Sequence, residues 1–550
     1  MKKITFAIAL LATFSLQAQI LNVNNNDGTF LPVETSETRD ITFDKAQKVV
    51  TLSLNEGINH SFNTKNVTSI SPQTDKSNQL TYDLNPEIVF DNNDKVNFNE
   101  VVETIPSTET TDNDYGDFVE KFSITKVINI TFSENDVTVS GNIPYTKNGA
   151  HLTINSTDSK VGYIVSGKCS NGSLKIYSEK KFQLMLSGLE LTNPAGPAIN
   201  IQTGKTVYFT IDDNTTNSLC DGATYNAPTI ADEDQKGTLF SEGQLIFNGY
   251  KDGSGILNVT SLGGHGICSD DYIRIRSGNI NIIKAAKDGF HTNEKFIVGR
   301  TATASPSVTV NATNDGIDCG KGDVVIDAGT LDLKTGGEAI KVSNEDADPL
   351  VSASATINGG YIKFVTTGEK SSGIKSEGAY KQAGGIIHGT VNGDGSKLLN
   401  CDSDITFTNG KLVGFAKGTI HNDTTSTGGI KCEGDFSIQN GTIAIECSGK
   451  GAKGINCSRA TIKGGEITVL SIGEDYTGTS ETRKSKALDA TNVTMTNGKC
   501  LLKAYDSAIS ATKVVSIFKG TLHAISETDV AIDAEVAQSG GWIMTKENQY

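Results

Sequence analysis

The chain has 550 residues, with 48 Lys and Arg against 64 Asp and Glu, for a formal charge of −16. A chain this acidic is a poor partner for nucleic acid, whose phosphates need a basic surface, and it repels an anionic polymer unless cations lie between them. Its 57 glycines, 10 prolines and 7% aromatic residues suit many short strands joined by glycine turns.

Residues 1–18 open with Lys2 and Lys3, continue apolar from Ile4 to Leu16 and end on Ala18. That pattern predicts a secretory signal peptide, too short to span a bilayer. Without its two lysines the charge of −16 becomes −18. No cysteine follows the apolar run and no later stretch is long and apolar enough to be transmembrane. The product is therefore expected to be secreted, periplasmic or at the cell surface, without a lipoprotein anchor. Within residues 19–102, Asp40–Asp44, Val49–Leu54 and Asn66–Ile70 alternate apolar with polar, which predicts a small N-terminal β module. Residues 103–126 are expected to be a linker, because ETIPSTETTDNDYGDF is rich in Thr, Asp and Glu.

From 127 to 536 the chain repeats itself. Aligned on one apolar position, it reads GHGICSDDYIRI, KDGFHTNEKFIV, NDGIDCGKGDVVI and onward, with anchors Ile267, Phe290, Ile317, Ile340, Ile374, Ile430, Ile455, Leu488 and Ile509. Leu239 and Leu399 fit less closely. Anchors lie 21 to 34 residues apart, a period that marks a stacked solenoid. The units alternate with period two, which sets aside leucine-rich, ankyrin and HEAT arrays. The expected fold is all-β: a parallel β-helix, with coils stacked at about 4.8 Å into a rod on the order of 60 Å long. Residues 537–550, with the lone Trp542, are expected to form a cap or tail.

Nine cysteines leave at least one unpaired, and no CxxC pair supports a zinc site of that type. Two residues past the anchors stand Ser269, Thr292, Cys319, Val342, Ser376, Cys401, Cys432, Cys457, Ala490 and Ala511. This small-residue column suits the narrow interior of a coil, where cysteine packs as a small apolar group. Cys432 and Cys457 fall in adjacent coils, and whether they bridge is left open.

A second column is polar. His265, Asp288, Asp315 and Glu338 precede successive anchors, and Cys268, His291, Asp318 and Lys341 follow them. Asp270 and Asn293 occupy matching places further on, with Glu242 in the preceding coil. Carboxylates at coil spacing repel unless a cation is shared, so calcium is expected around Asp270, Asp271, Asp288, Asp315 and Asp318. For any one of them turn formation by Asp before Gly is the better reading; the cluster as a whole is what points to calcium. His265 and His291 read as turn or surface residues, since no zinc-binding spacing joins them. Tyr272, Arg274 and Arg276 alternate on the outward face of one strand, with Ile273 and Ile275 inward, and Lys284 and Lys287 follow. Arg pairs carboxylates and Tyr stacks on sugar faces, which makes these five candidate substrate-binding residues; solvated outer positions are the competing reading.

The run GSLKIYSEKKFQLMLSGLELTNPAGPAINIQTGKTVYFTIDDNTTNSLCDG (172–222), with KGTLFSEGQLIFNG (236–249), HGICSDDYIRIRSGNI, AAKDGFHTNEKF and NDGID, closely resembles a bacterial carbohydrate-binding β-helix family. A clostridial member of that family binds cellulose and acidic plant polysaccharide such as polygalacturonate. The resemblance spans roughly residues 127 to 535, is specific in 172–318 and leaves the N-terminal module outside. It implies a right-handed parallel β-helix that carries calcium and is similar in shape to family-9 pectate lyases. The calcium region it implies falls on Asp270, Asp271, Asp288, Asp315 and Asp318, with Asn293 and His291 nearby. The expectation is a monomeric, exported, non-catalytic protein that binds polysaccharide, with calcium tying sugar carboxylates to an acidic surface. A calcium-dependent lyase is the alternative, with Lys287, Lys321 or Lys341 as base. A surface adhesin or structural rod is the third reading.

Overall fold

The structure is a computed structural model that describes residues 20–72, 77–91, 116–228, 230–299, 305–422, 424–479 and 481–547. The expected signal peptide lies outside the described residues. Among those described there is no α-helix, only many short strands and the 3-10 turns Asn55–Gly57 and Val119–Lys121. Through most of the chain each strand pairs in parallel with the strand three places later. His265–Ser269, Ile273–Ile275 and Asn279–Ala285 thus pair with Phe290–Thr292, Phe296–Val298 and Ser307–Ala312. The chain winds in coils of three strands, and three parallel sheets run along the stack.

The repeat anchors form one ladder in register. Leu239 pairs with Ile267, then Phe290, Ile317, Ile340, Ile374, Leu399, Ile430, Ile455, Leu488 and Ile509 follow in turn. The ladder extends back to Leu152, Leu174 and Ile199 and forward to Ile532. From Leu239 to Ile509 every anchor is buried, each worth about 1.5–3 kcal/mol relative to exposure. The column two residues on is buried too, and Cys401 pairs in register with Cys432. All nine cysteines are free, and the Cys432 thiol is pushed up, first by contact with Cys457 and then by burial.

Glycine turns set the coil height. Gly410 has φ 99° and Gly441 has φ 97°, a region that favours glycine. A Cβ on Gly441 would sit 2.4 Å from the carbonyl oxygen of Gly410 in the coil before, so stacking at strand distance leaves no room for a side chain.

The N-terminal module is not a detached unit. Phe30–Glu34, Ile20–Asn25 and Val67–Pro72 form one antiparallel sheet, and Thr38–Asp44, Val49–Leu54 and Ile58–Asn63 form a second antiparallel run. Ile58–Asn63 then pairs antiparallel with Trp542–Lys546, the last strand of the rod. Val23, Leu31, Leu52 and Phe62 share an apolar cluster with Ile525, Trp542 and Met544. The module covers the open sheet edge at the rod's C-terminal end, an edge that otherwise invites pairing with other chains. The rod runs past the expected boundary at 536, because Trp542–Lys546 pairs in parallel with Thr521–Ser526.

From the module the chain turns back along the rod. Ile88 packs on Val413 and Leu470, and Phe90 stacks on His388 at 4.8 Å. Of the expected linker, residues 116–126 are described, and residues 116–122 lie against the rod rather than in solvent. Phe118 is buried, Tyr208 donates to the Gly116 carbonyl at 2.5 Å, and Phe122 meets the Tyr208 ring at 5.0 Å. No helix among the described residues is long and apolar enough to cross a membrane.

Candidate functional site

The acids of the polar column collect on one flank of the anchor sheet. Alternation keeps the anchor inside and sends its neighbours outward, so parallel stacking brings equivalent acids of successive coils together. The Asp315 N–H donates to Asp288 Oδ1 at 3.0 Å, and the Glu338 N–H donates to Asp315 Oδ1 at 2.7 Å. Each carboxylate thus caps the turn of the next coil, and the turn chemistry read from Asp-Gly is present. It does not relieve the charge. Burial first, then Glu338 and Asp288, push the Asp315 carboxyl up to about 8.

Histidines close the other side of Asp288. His265 Nδ1 lies 3.0 Å and His291 Nδ1 3.8 Å from Asp288 Oδ2, and the two rings stack at 4.6 Å. His291 Nδ1 is also 3.1 Å from Asp318 Oδ2, and Lys341 Nζ is 3.1 Å from Asp318 Oδ1. Burial alone would raise the Asp318 carboxyl; His291 and Lys341 outweigh it and hold it below the usual range. Burial also lowers the His265 imidazole, against the pull of Asp288. The expectation of ordinary surface histidines is not met, since both are enclosed in this network.

A second acidic group surrounds Lys236, which reaches Asp234 at 2.8 Å and Asp270 at 2.6 Å. Carboxylate oxygens of Asp234, Glu242 and Asp270 come within 4.8 Å of one another. Burial first, then Asp270 and Asp234, raise the Glu242 carboxyl. Asp271 points elsewhere: Gln244 donates to it, and burial followed by Glu294 pushes it up to about 6. Asn293 belongs to that turn, where its N–H donates to the Ser269 carbonyl at 3.3 Å. The candidate ligands therefore divide into three places: Asp288, Asp315 and Asp318; Asp270; and Asp271 with Asn293. Asp234 and Glu294 were missed. Asp234 lies in the insertion before Gly237–Ser241, outside the repeat, and its only local sign is the acidic run ADED.

Asp234, Glu242 and Asp270 bring carboxylate oxygens within 4.8 Å of one another, the donors a hard divalent cation such as calcium takes. The His265, Asp288, His291 trio is mixed nitrogen and oxygen, a set that suits zinc-like metals better than calcium.

The expected substrate stripe is corrected. Arg274 is fully buried and Arg276 is 2% exposed, because residues 116–122 lie over them. Arg274 pairs with Asp117 Oδ2 at 2.7 Å, Tyr272 donates its hydroxyl to Asp117, and Arg276 reaches Glu120 Oε2 at 2.9 Å over the Phe118 ring. These three residues fasten a segment of their own chain and present no open face to a polymer. The alternation that turned them outward holds; what covers them is more than 150 residues away in the chain. Lys284 and Lys287 are exposed.

A family model described as carbohydrate-binding domain-containing protein matches residues 148–475 and 422–534. No curated protein matches the chain. Among solved structures, the polysaccharide lyase-like protein from C. thermocellum, in its gadolinium derivative, is 20% identical; the match covers 51% of this chain and 96% of that chain, with a TM-score of 0.39.

Proposed function

The chain belongs to the carbohydrate-binding domain-containing family, and from that premise we propose that it binds an acidic polysaccharide along the side of its rod without cleaving it. The observation that carries the reading is the stacking of Asp288, Asp315 and Glu338 on successive coils, each carboxylate capping the next turn, with the Asp315 carboxyl raised to about 8 by burial and then by Glu338 and Asp288. Calcium bound on the acidic coils supplies positive charge shared between protein and sugar carboxylates. Asp234, Glu242 and Asp270, whose carboxylate oxygens come within 4.8 Å of one another, would hold it, with Asp288, Asp315 and Glu338 as a second set. Backbone N–H groups of the next coil fix the Asp288 and Asp315 carboxylates in place before any ligand arrives. Exposed Lys284 and Lys287 flank this face and attract a polyuronate.

The winding is taken as right-handed, the hand that parallel crossovers adopt almost without exception. The protein is taken as an exported monomer. The leader-like residues 1–18 support export, and the covered edge at Trp542–Lys546 supports a single chain. Polygalacturonate is the first ligand to test and cellulose the neutral comparison. Retention on a polygalacturonate gel is expected with calcium and is expected to fall sharply in chelator; retention unchanged by chelator refutes calcium bridging.

The lyase reading has less support. It needs a Lys or Arg able to take a proton beside the metal. Lys341, although burial works against its charge, is held above its ordinary value by Asp318 and Asp315, so it stays protonated. Lys321 is tied to Asp346 at 2.9 Å. Ultraviolet absorbance of a polygalacturonate mixture should stay flat; steady growth of unsaturated product would overturn the binding-only reading.

A further inference from the structure

Further along the same sheet the charge changes sign. The outward position after each anchor runs Asp318, Lys341, Lys375, Asn400, Lys431, Asn456 in register. The turn position before the anchor runs Lys397, Gly428, Lys453, Lys486. Gly428 leaves a gap between Lys397 and Lys453, and over it the loop 424–427 closes a cleft of about 170 Å³. Lys431 and Asn456 line its side, with Thr424, Thr425 and Ser426 above. That volume is below the roughly 300–1,000 Å³ of drug-sized ligand sites, which suits one sugar unit.

The lysines differ in their partners. Lys431 is 2.5 Å from Glu433, and Lys453 pairs with Asp489. Lys397 is 9% exposed, and its Nζ donates to the Gly395 carbonyl at 2.8 Å. Among the described residues no carboxylate forms an ion pair with it. An enclosed ammonium without a counter-charge is costly, and an entering carboxylate relieves that cost.

We propose that this cleft is a metal-independent subsite in which Lys397, with Lys431 and Lys453 beside it, holds the carboxylate of one uronate residue. Thr424, Thr425, Ser426 and Asn456 supply hydrogen bonds to the sugar hydroxyls. The subsite rests on the acidic-polysaccharide reading but not on its calcium step. The polymer would then be held in two ways on one face, through cations on the acidic coils and directly on the basic ones. Burial, followed by Lys431 and Lys370, brings the Lys397 ammonium down to about 8, so in mild base a larger share of it is free amine than at an ordinary lysine.

The test is titration calorimetry of the full chain with a galacturonate oligomer in excess chelator. Wild-type protein is expected to keep measurable affinity, Lys397→Met to lose about tenfold or more, and a fully methyl-esterified oligomer to bind as poorly as the variant does. Equal affinity of wild type and Lys397→Met overturns the subsite and leaves the parent reading standing. Absence of oligomer binding with or without calcium overturns both. Amine acylation read by mass spectrometry covers the case in which the variant fails to fold. The galacturonate oligomer is expected to protect Lys397 in wild type, and a cello-oligomer is not. Asp423 lies outside the described residues; if Asp423→Asn alters Lys397 labelling and the oligomer does not, the counter-charge is internal and the proposal falls.

Discussion

Asp117→Ala removes the carboxylate that Arg274 and Tyr272 share. Both members of the ion pair are buried, with side chains 0% and 2% exposed, so solvent cannot replace the missing partner. Removing one partner of a buried ion pair costs about 3–5 kcal/mol. Because a stacked rod need not unfold in one step, the loss should appear locally, in how often residues 116–122 lift away. The reporters are the amides of Lys121 and Phe122, which donate to the Phe118 and Val119 carbonyls, both at 2.9 Å. Their hydrogen-exchange protection is expected to fall by about two to three orders of magnitude, toward the free-chain limit. The double variant Asp117→Ala/Arg274→Met removes both members of the pair and should recover most of the protection, since an apolar replacement of a buried pair is often close to neutral. If the double variant exchanges as fast as the single one, the loss of charge pairing is not what loosens the segment. Unchanged protection in the single variant refutes the reasoning altogether.

Asp315 contributes stability that is lost as pH rises in the metal-free protein. Its carboxyl titrates near 8 when folded, against 3.8 for an ordinary aspartate, so the folded chain keeps a proton that the unfolded chain releases. The stability difference between wild type and Asp315→Asn, read by thermal melts, should therefore shift against wild type from about pH 4 to about pH 8 and level off above; a difference that does not change with pH refutes the assignment. Calcium should raise the melting temperature of wild type more at pH 8 than at pH 5, and equal shifts would argue against carboxylates as the ligands. Phe62→Asp puts a charge where Phe62 stacks on Trp542 at 6.1 Å, so the module should loosen and free the Trp542–Lys546 edge; self-association is expected by size-exclusion chromatography, and a monomer unchanged in size and protease resistance refutes the capping role.

The ladder of anchors was legible from local pattern alone. Ile267, Phe290, Ile317 and Ile340 recur with glycine turns and period-two alternation, and parallel stacking is the arrangement that buries them all. The same alternation assigned Cys401 and Cys432 to packing, because small residues recur two places past the anchor. The acids were half legible. Their register followed from the repeat, which put Asp288, Asp315 and Glu338 on neighbouring coils. Asp234 lies outside the anchor columns, so periodicity said nothing of it, whereas Glu294 stands four residues past Phe290 as Asp271 does past Ile267. Asp271 stands beside Gln244 and Glu294, apart from Asp288 and Asp315.

What the sequence determined by itself is therefore what repeats: the strand-rich coil, its buried face and the column on which each polar residue stands. These depend on neighbours a few residues away, and alternation encodes them directly. What only the tertiary structure decided is what comes to lie over the coils. The Arg274 stripe looks open along the chain, yet Asp117 and Phe118 close it. The module at residues 20–72 precedes the rod in the chain and seals its far end. The cleft at Lys397 needs both the gap at Gly428 and the loop above it. The segment over Arg274 and the module at the far end join residues more than 150 positions apart and have no period, so only the folded chain shows which polar residues remain open to a ligand.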